Sequence, residues 1–209
     1  MRCTAQSDDS KEEFMQTTNK KHMSTGTLVL AAILTALVIV LQFMGQFIRL
    51  GPFAISLVLI PIVIGAATCG PKISTWLGFI FGVVVLITDA GAFLAVSVAG
   101  TVITVLVKGA ACGLAAGVVY KLVEKKNRYT AVVASAIVCP IVNTGVFLLG
   151  CVLFFFETIK AWGLAAGFDG AIQYMFLGLA GGNFLFELAT NIVLSPVIVR
   201  VLNIRNHKK

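Results

Sequence analysis

Two ionisable side chains, Lys108 and Glu187, fall inside stretches that are otherwise almost free of charge. An ammonium or a carboxylate in apolar surroundings is costly unless an opposite charge, an amide or water meets it. Such residues therefore point either to an internal ion pair or to a site for a polar solute. Asn183 and Asn191 stand four residues to either side of Glu187, with Thr190 close by. On a helix that spacing puts Asn183, Glu187 and Asn191 on one face. Asn143 and Thr144 follow Pro140, whose ring leaves a backbone carbonyl one turn earlier without its helical donor. Lys108, Asn143, Asn183 and Glu187 form the candidate solute-binding set. The competing reading makes Lys108 and Glu187 a structural pair, with the asparagines satisfying kinked backbone.

Other chemistries find little support. No HExxH, GxSxG or phosphate-loop pattern is present. The two histidines, His22 and His207, lie near the termini, away from any serine within an apolar run. The five cysteines, at 3, 69, 112, 139 and 151, form no CxxC pair and match no metal or disulfide framework. Neither a catalytic residue, a metal nor a cofactor is expected, and the chain is not expected to be an enzyme.

The elements that must hold the polar groups are set by composition. Of 209 residues 58% are hydrophobic and only 12% are charged, against about a quarter charged in a soluble domain. A cytosolic enzyme and a disordered regulator are excluded on that ground. Charge is absent from 50–71, 73–88, 90–107 and 129–156, and between Lys21 and Arg49. A bilayer core asks for about 20 apolar helical residues, and none of these runs shows the alternation of a membrane β-barrel. The fold expected is an all-α membrane protein, a bundle of six transmembrane helices.

The spans are expected at about 27–48, 54–69, 74–88, 98–120, 129–156 and 171–201. Pro61 is expected to kink the second, and Gly70-Pro71 to end it. Residues 89–97 are read as a short connection or re-entrant piece, 157–170 as a loop, and Gly181-Gly182 as a bend or unwound point in the sixth span. Residues 1–24 read as a flexible cytoplasmic tail, 25–205 as the transmembrane solute-binding domain and 206–209 as a basic cytoplasmic tail.

Orientation follows from the basic residues. With an even number of spans and both termini in the cytoplasm, only Arg49 and Lys160 of the sixteen lie outside, and Lys108 lies within the membrane. The net charge of +7 is thus an orientation signal, and no nucleic-acid partner is expected. Asp89, Glu157, Lys160 and Asp169 read as ordinary loop charges near the outer surface. Phe154, Phe155, Phe156, Trp162 and Tyr174 read as interfacial anchors, or alternatively as a stacking wall over a ring-shaped ligand.

Small residues four apart let helix backbones approach in lipid. Such pairs are Ala32 and Ala36, Gly78 and Gly82, Gly178 and Gly182, and the run Gly109, Gly113, Gly117. Most should pack the bundle internally, while some could serve a partner protein.

Over about 25–205 the chain resembles the substrate-binding S components of energy-coupling factor (ECF) transporters. The resemblance is carried by AILTA at 32–36, by GPFAISLVLIPIVIGAATCGPKISTWLGFIFGVVVLITD at 51–89 and by NFLFELATNIVLSPVIVRVL at 183–202. It is similar to the branch that contains riboflavin, pantothenate and folate binders. The resemblance implies a multi-pass protein of the bacterial plasma membrane, the binding subunit of an ECF-type ABC importer. Such a subunit takes a water-soluble vitamin from outside, here riboflavin or pantothenate, and delivers it inward with a transmembrane coupling subunit and two cytoplasmic ATPases. By the same resemblance Ala32 and Ala36 contact the coupling subunit. A buried lysine would suit the carboxylate of pantothenate, whereas amides and aromatics would suit the riboflavin ring. The alternative is a stand-alone secondary carrier or exporter of a small polar solute.

Overall fold

A computed structural model of the chain describes residues 24–47, 49–50, 53–54 and 57–206. The tails expected at 1–24 and 206–209 lie almost wholly outside the described residues. The architecture is helical. Helix α1 (Thr25–Gly45) is followed by a two-residue hairpin, β1 (Arg49–Leu50) paired antiparallel with β2 (Phe53–Ala54). Then come α2 (Leu59–Cys69), α3 (Pro71–Thr88), α4 (Gly91–Leu94), α5 (Val98–Val123), α6 (Arg128–Phe154), α7 (Phe156–Ala165) and α8 (Ala171–Gln173). A π-helical segment, Tyr174–Gly181, runs on from α8 into α9 (Gly182–Asn206).

Five spans are long and apolar enough to cross a bilayer: α1, α3, α5, α6 and the continuous stretch Ala171–Arg200. Their outer faces carry exposed Leu, Ile, Val and Phe side chains, among them Leu28, Ile87, Ile103, Leu149, Leu153 and Val193. Helix ends are set locally. Ser24, Ser97 and Asn127 cap α1, α5 and α6 by accepting a hydrogen bond from the backbone N–H of Thr27, Gly100 and Tyr129, which satisfies a first-turn donor that has no intrahelical partner. Gly70, at φ 85°, ends α2 in a conformation that a side chain would strain, and Pro71 opens α3 where its missing N–H costs nothing.

The expected second span is cut short. Of 54–69, only Leu59–Cys69 is helical, about 16 Å at ~1.5 Å per residue. Pro61 therefore sits in the first turn of α2, where no helical N–H bond is lost, and starts the helix instead of kinking it. This short helix is the most enclosed element: Leu59, Ile62, Val63 and Ala66 sit in the core with Leu34 and Val38 of α1, Leu77 and Phe81 of α3, and Val132 of α6.

Residues 157–170, expected as a loop, hold helix α7 instead. Phe155 breaks the helical path after α6, and Ile159 and Gly163 turn inward from the new helix. The sixth span does not unwind at Gly181-Gly182. It widens into the π segment, in which N–H groups bond five residues back, and returns to α-helix between Gly181 and Gly182.

Glycines set the central seam. A Cβ on Gly78 would strike the Gly109 carbonyl oxygen, one on Gly113 that of Ser74, and one on Gly117 the Pro71 backbone. As residue numbers rise along α3 they fall along α5, so the two helices are antiparallel with backbones in contact. Ser74 Oγ donates to the Gly113 carbonyl at 2.7 Å across this seam. The α5–α6 pair is likewise antiparallel. Ser135 Oγ donates to the Ala116 carbonyl at 3.0 Å near one end, while Gly100 abuts Phe154 and Phe155 near the other. The pairs expected at Gly78/Gly82 and Gly109/Gly113/Gly117 are therefore internal packing. Ala32 and Ala36, by contrast, lie on the exposed face of α1. Lys72, Lys121, Lys125, Lys126 and Arg128 collect at the end of the bundle where α3 begins, and Asp89 lies at the opposite end.

Candidate functional site

A pocket opens among α1, α3, α4, α5, α6 and the π segment running into α9, in the half of the bundle nearest Asp89. It encloses about 750 Å³ of space, open mouth included. All four residues of the candidate set line it: Lys108 from α5, Asn143 from α6, and Asn183 and Glu187 from α9. The antiparallel crossing of α5 and α6 brings the first two together, because the early turns of α5 meet the late turns of α6.

Lys108 stands ten residues into α5, about 15 Å from its start. Its ammonium lies 5.7 Å from the centre of the Phe81 ring and 5.2 Å from that of Phe147, within cation–π range of both. Glu187 is only 2% exposed, and its Oε1 accepts a hydrogen bond from Asn183 Nδ2 at 3.2 Å. Further along the same face Asn191 is buried outside the pocket, and its amide nitrogen has no partner among the described residues.

Several polar atoms in the pocket wall await a partner. Asn143 and Thr104 are both 5% exposed, and Asn143 Oδ1, Thr104 Oγ1 and Asn183 Oδ1 meet no hydrogen-bonding group among the described residues. Buried polar atoms left so cost about 1–3 kcal/mol each. Thr144, which follows Asn143, also lines the pocket.

Sequence reading missed part of the wall. Asp89, expected as an ordinary loop charge, lines the pocket. Its Oδ2 accepts from Gln46 Nε2 at 2.8 Å and from Gln42 Nε2 at 3.2 Å. Gln42, itself 1% exposed, also donates to Thr88 Oγ1 at 3.4 Å. The available signal was the pair Gln42 and Gln46, one turn apart at the end of a charge-free run. Asp89 is thus a held group lining the pocket, bonded by the amide of Gln42 in α1 and that of Gln46 just past its end. Glu157, Lys160 and Asp169 remain outside the pocket.

The aromatic residues divide. Phe155 lines the pocket with Phe93 and Phe147, its ring 5.1 Å from that of Phe93 and nearly perpendicular to it. Trp162 backs the wall, edge-on to Phe93 at 5.4 Å. Phe154 and Phe156 are exposed, as interfacial anchors would be, and Tyr174 packs against Phe168 at 5.3 Å. Short helix α4 lies in the stretch expected as a short connection or re-entrant piece, and it carries Phe93, the ring that the others surround.

Among the described residues Cys69, Cys112, Cys139 and Cys151 are free thiols, and no group of three or more histidines, cysteines and carboxylates stands ready for a metal ion. The groups available suit recognition: charged side chains, amides, hydroxyls and rings around a pocket within an apolar bundle. Residues 26–202 match a family model described as the substrate-specific component of ECF transporters. No curated protein and no solved structure matches the chain.

Proposed function

The chain belongs to the family of ECF transporter substrate-specific components, and on that premise we propose that its pocket captures a water-soluble vitamin or related micronutrient. Members of this family are transporter subunits and not enzymes. The observation that carries the reading is the convergence of Lys108, Asn143, Asn183 and Glu187 on one pocket, with polar atoms of the two asparagines still lacking partners. A pocket with apolar walls and a few convergent polar groups suits a small ligand. Riboflavin and pantothenate are the leading ligands.

In this reading the bundle crosses the plasma membrane six times, with α2 serving as the short second span. Both termini face the cytoplasm. The basic cluster from Lys72 to Arg128 supports this orientation, and it turns the pocket to the outside, where solute is scarce. Delivery inward uses a transmembrane coupling subunit and two ATPases. The exposed face bearing Ala32 and Ala36 is available to the coupling subunit, since close approach through alanines is how helices associate in lipid.

Equilibrium titration of the purified chain in detergent against a panel of water-soluble vitamins tests the proposal. Tight binding of one of them is the expected result, and native mass spectrometry of the purified protein should find a small molecule carried along. Binding of none would contradict the reading.

A further inference from the structure

A second cavity, of about 350 Å³, opens at the end of the bundle opposite Asp89. Its wall holds Ala67 and Thr68 of α2, Pro71 of α3, Tyr120 and Lys121 of α5, and Glu124 just past the end of α5. It is far roomier than a single water needs, and it shares no lining residue with the pocket near Asp89.

The charges in this wall balance and stand unpaired. Lys121 and Glu124 are three residues apart, close enough along a helix to meet, yet neither forms an ion pair among the described residues. The backbone repeats the pattern. Helix α2 ends here, and the carbonyl of Ala67 lacks its helical donor because the residue four places on is Pro71. Helix α3 begins here with no side chain capping it, which leaves the N–H groups of Lys72 and Ile73 without a helical acceptor. A positive helix start and a negative helix end thus stand beside a cation and a carboxylate.

Tyr120 adds an unsatisfied group. The residue is 4% exposed and lines the cavity, and its hydroxyl bonds to nothing among the described residues, although a buried phenol ordinarily finds a partner. Thr68 Oγ1 donates to the Ile64 carbonyl at 2.7 Å, so it offers a ligand only an acceptor. The depth of the cavity identifies what it meets. Trp76 and Tyr129, 50% and 48% exposed, stand in the early turns of α3 and α6 at this same end, and such aromatics mark the headgroup layer of a bilayer.

From this we infer that the cavity is a site for a zwitterionic phospholipid headgroup. Its phosphate lies against Lys121 and the start of α3, and its ammonium against Glu124 and the end of α2. The Tyr120 hydroxyl donates to a phosphate oxygen. A purely anionic headgroup would leave Glu124 and the α2 carbonyls facing negative charge, whereas a zwitterion meets both signs. The inference is independent of the capture function; only the choice of the cytoplasmic leaflet follows from the orientation proposed above.

The test places the full-length chain in nanodiscs of equal parts phosphatidylethanolamine and phosphatidylglycerol with matched acyl chains, and native mass spectrometry counts the lipids it retains on release. Phosphatidylethanolamine should be retained about 5-fold or more over phosphatidylglycerol. Lys121→Gln and Tyr120→Phe should each cut its retention about 3-fold or more, and Glu124→Gln should abolish the preference. Lys125→Gln, exposed and outside the cavity, should change neither. Equal retention of the two lipids by the parent, retention of neither, or a preference that survives both Lys121→Gln and Glu124→Gln overturns the inference. Melting curves in detergent separate lipid from free solute. Short-chain phosphatidylethanolamine should raise the midpoint, while glycerophosphoethanolamine and inorganic phosphate at the same concentration should not. An equal rise with either soluble compound overturns the assignment to lipid. Vitamin titration of the same variants should match the parent, so failure here leaves the capture function standing.

Discussion

Asn183 hands an amide hydrogen to the Glu187 carboxylate one helical turn away, at 3.2 Å. The bond supplies a donor to a carboxyl group that is only 2% exposed, and both residues line the pocket. Asn183→Leu removes the bond and a polar lining group together while roughly keeping the volume. Ligand affinity should fall at least about 10-fold, the worth of one charge-assisted hydrogen bond, and the thermal midpoint should drop as well. Titration and a melting curve in detergent check the two effects separately.

Lys108 and Asp169 provide a paired control. Lys108 lines the pocket between two rings, whereas Asp169 is exposed and lies outside the pocket. Lys108→Ala should weaken ligand binding by about 10-fold or more, and Asp169→Ala should leave it within twofold. Equilibrium titration of both variants decides the point. An unchanged affinity in the first would return Lys108 to a structural role.

Bulky residues at Ala32 or Ala36 should separate binding from assembly. Both side chains are exposed on α1, so Ala32→Leu or Ala36→Leu meets no neighbour within the bundle. Solute affinity should stay unchanged, and co-purification with the coupling subunit and ATPases should be lost. Equal loss of both properties would assign the pair to folding.

The glycine seam predicts position-dependent stability. Gly109→Ala would drive a methyl group into the Gly78 backbone and should cost about 1–3 kcal/mol, the usual cost of overpacking. Gly145→Ala in α6 meets nothing within 4 Å and should be neutral or stabilising. Melting curves of the two variants in detergent compare them directly.

The candidate set was legible because charge and amide groups stand out in apolar runs. Lys108, Asn143, Asn183 and Glu187 stand out by contrast, and all four line one pocket, Asn143 and Glu187 buried and the other two half-buried. Asp89 escaped notice because it sits where a run ends, and a carboxylate there looks like any loop charge. Gln42 escaped because an uncharged amide does not interrupt a hydrophobic run. Helix α7 was hidden by its polar composition and glycine, which read as loop until Ile159 and Gly163 are seen packed inward. The π segment leaves no periodic trace, since its hydrogen-bond register, not its side-chain pattern, is what differs. Pro61 shows the limit of local rules: the same ring starts a helix or bends one, and only the position of the first turn decides which.

Where α3 and α5 meet backbone to backbone, no layer of side chains remains to act as a bearing. Sliding by a residue would collide carbonyls with chain, so the two move as a single stiff plank. Under the proposed capture function, any opening for a solute falls to the other walls, α1 and the widened turns ahead of α9, with the plank as their fixed reference.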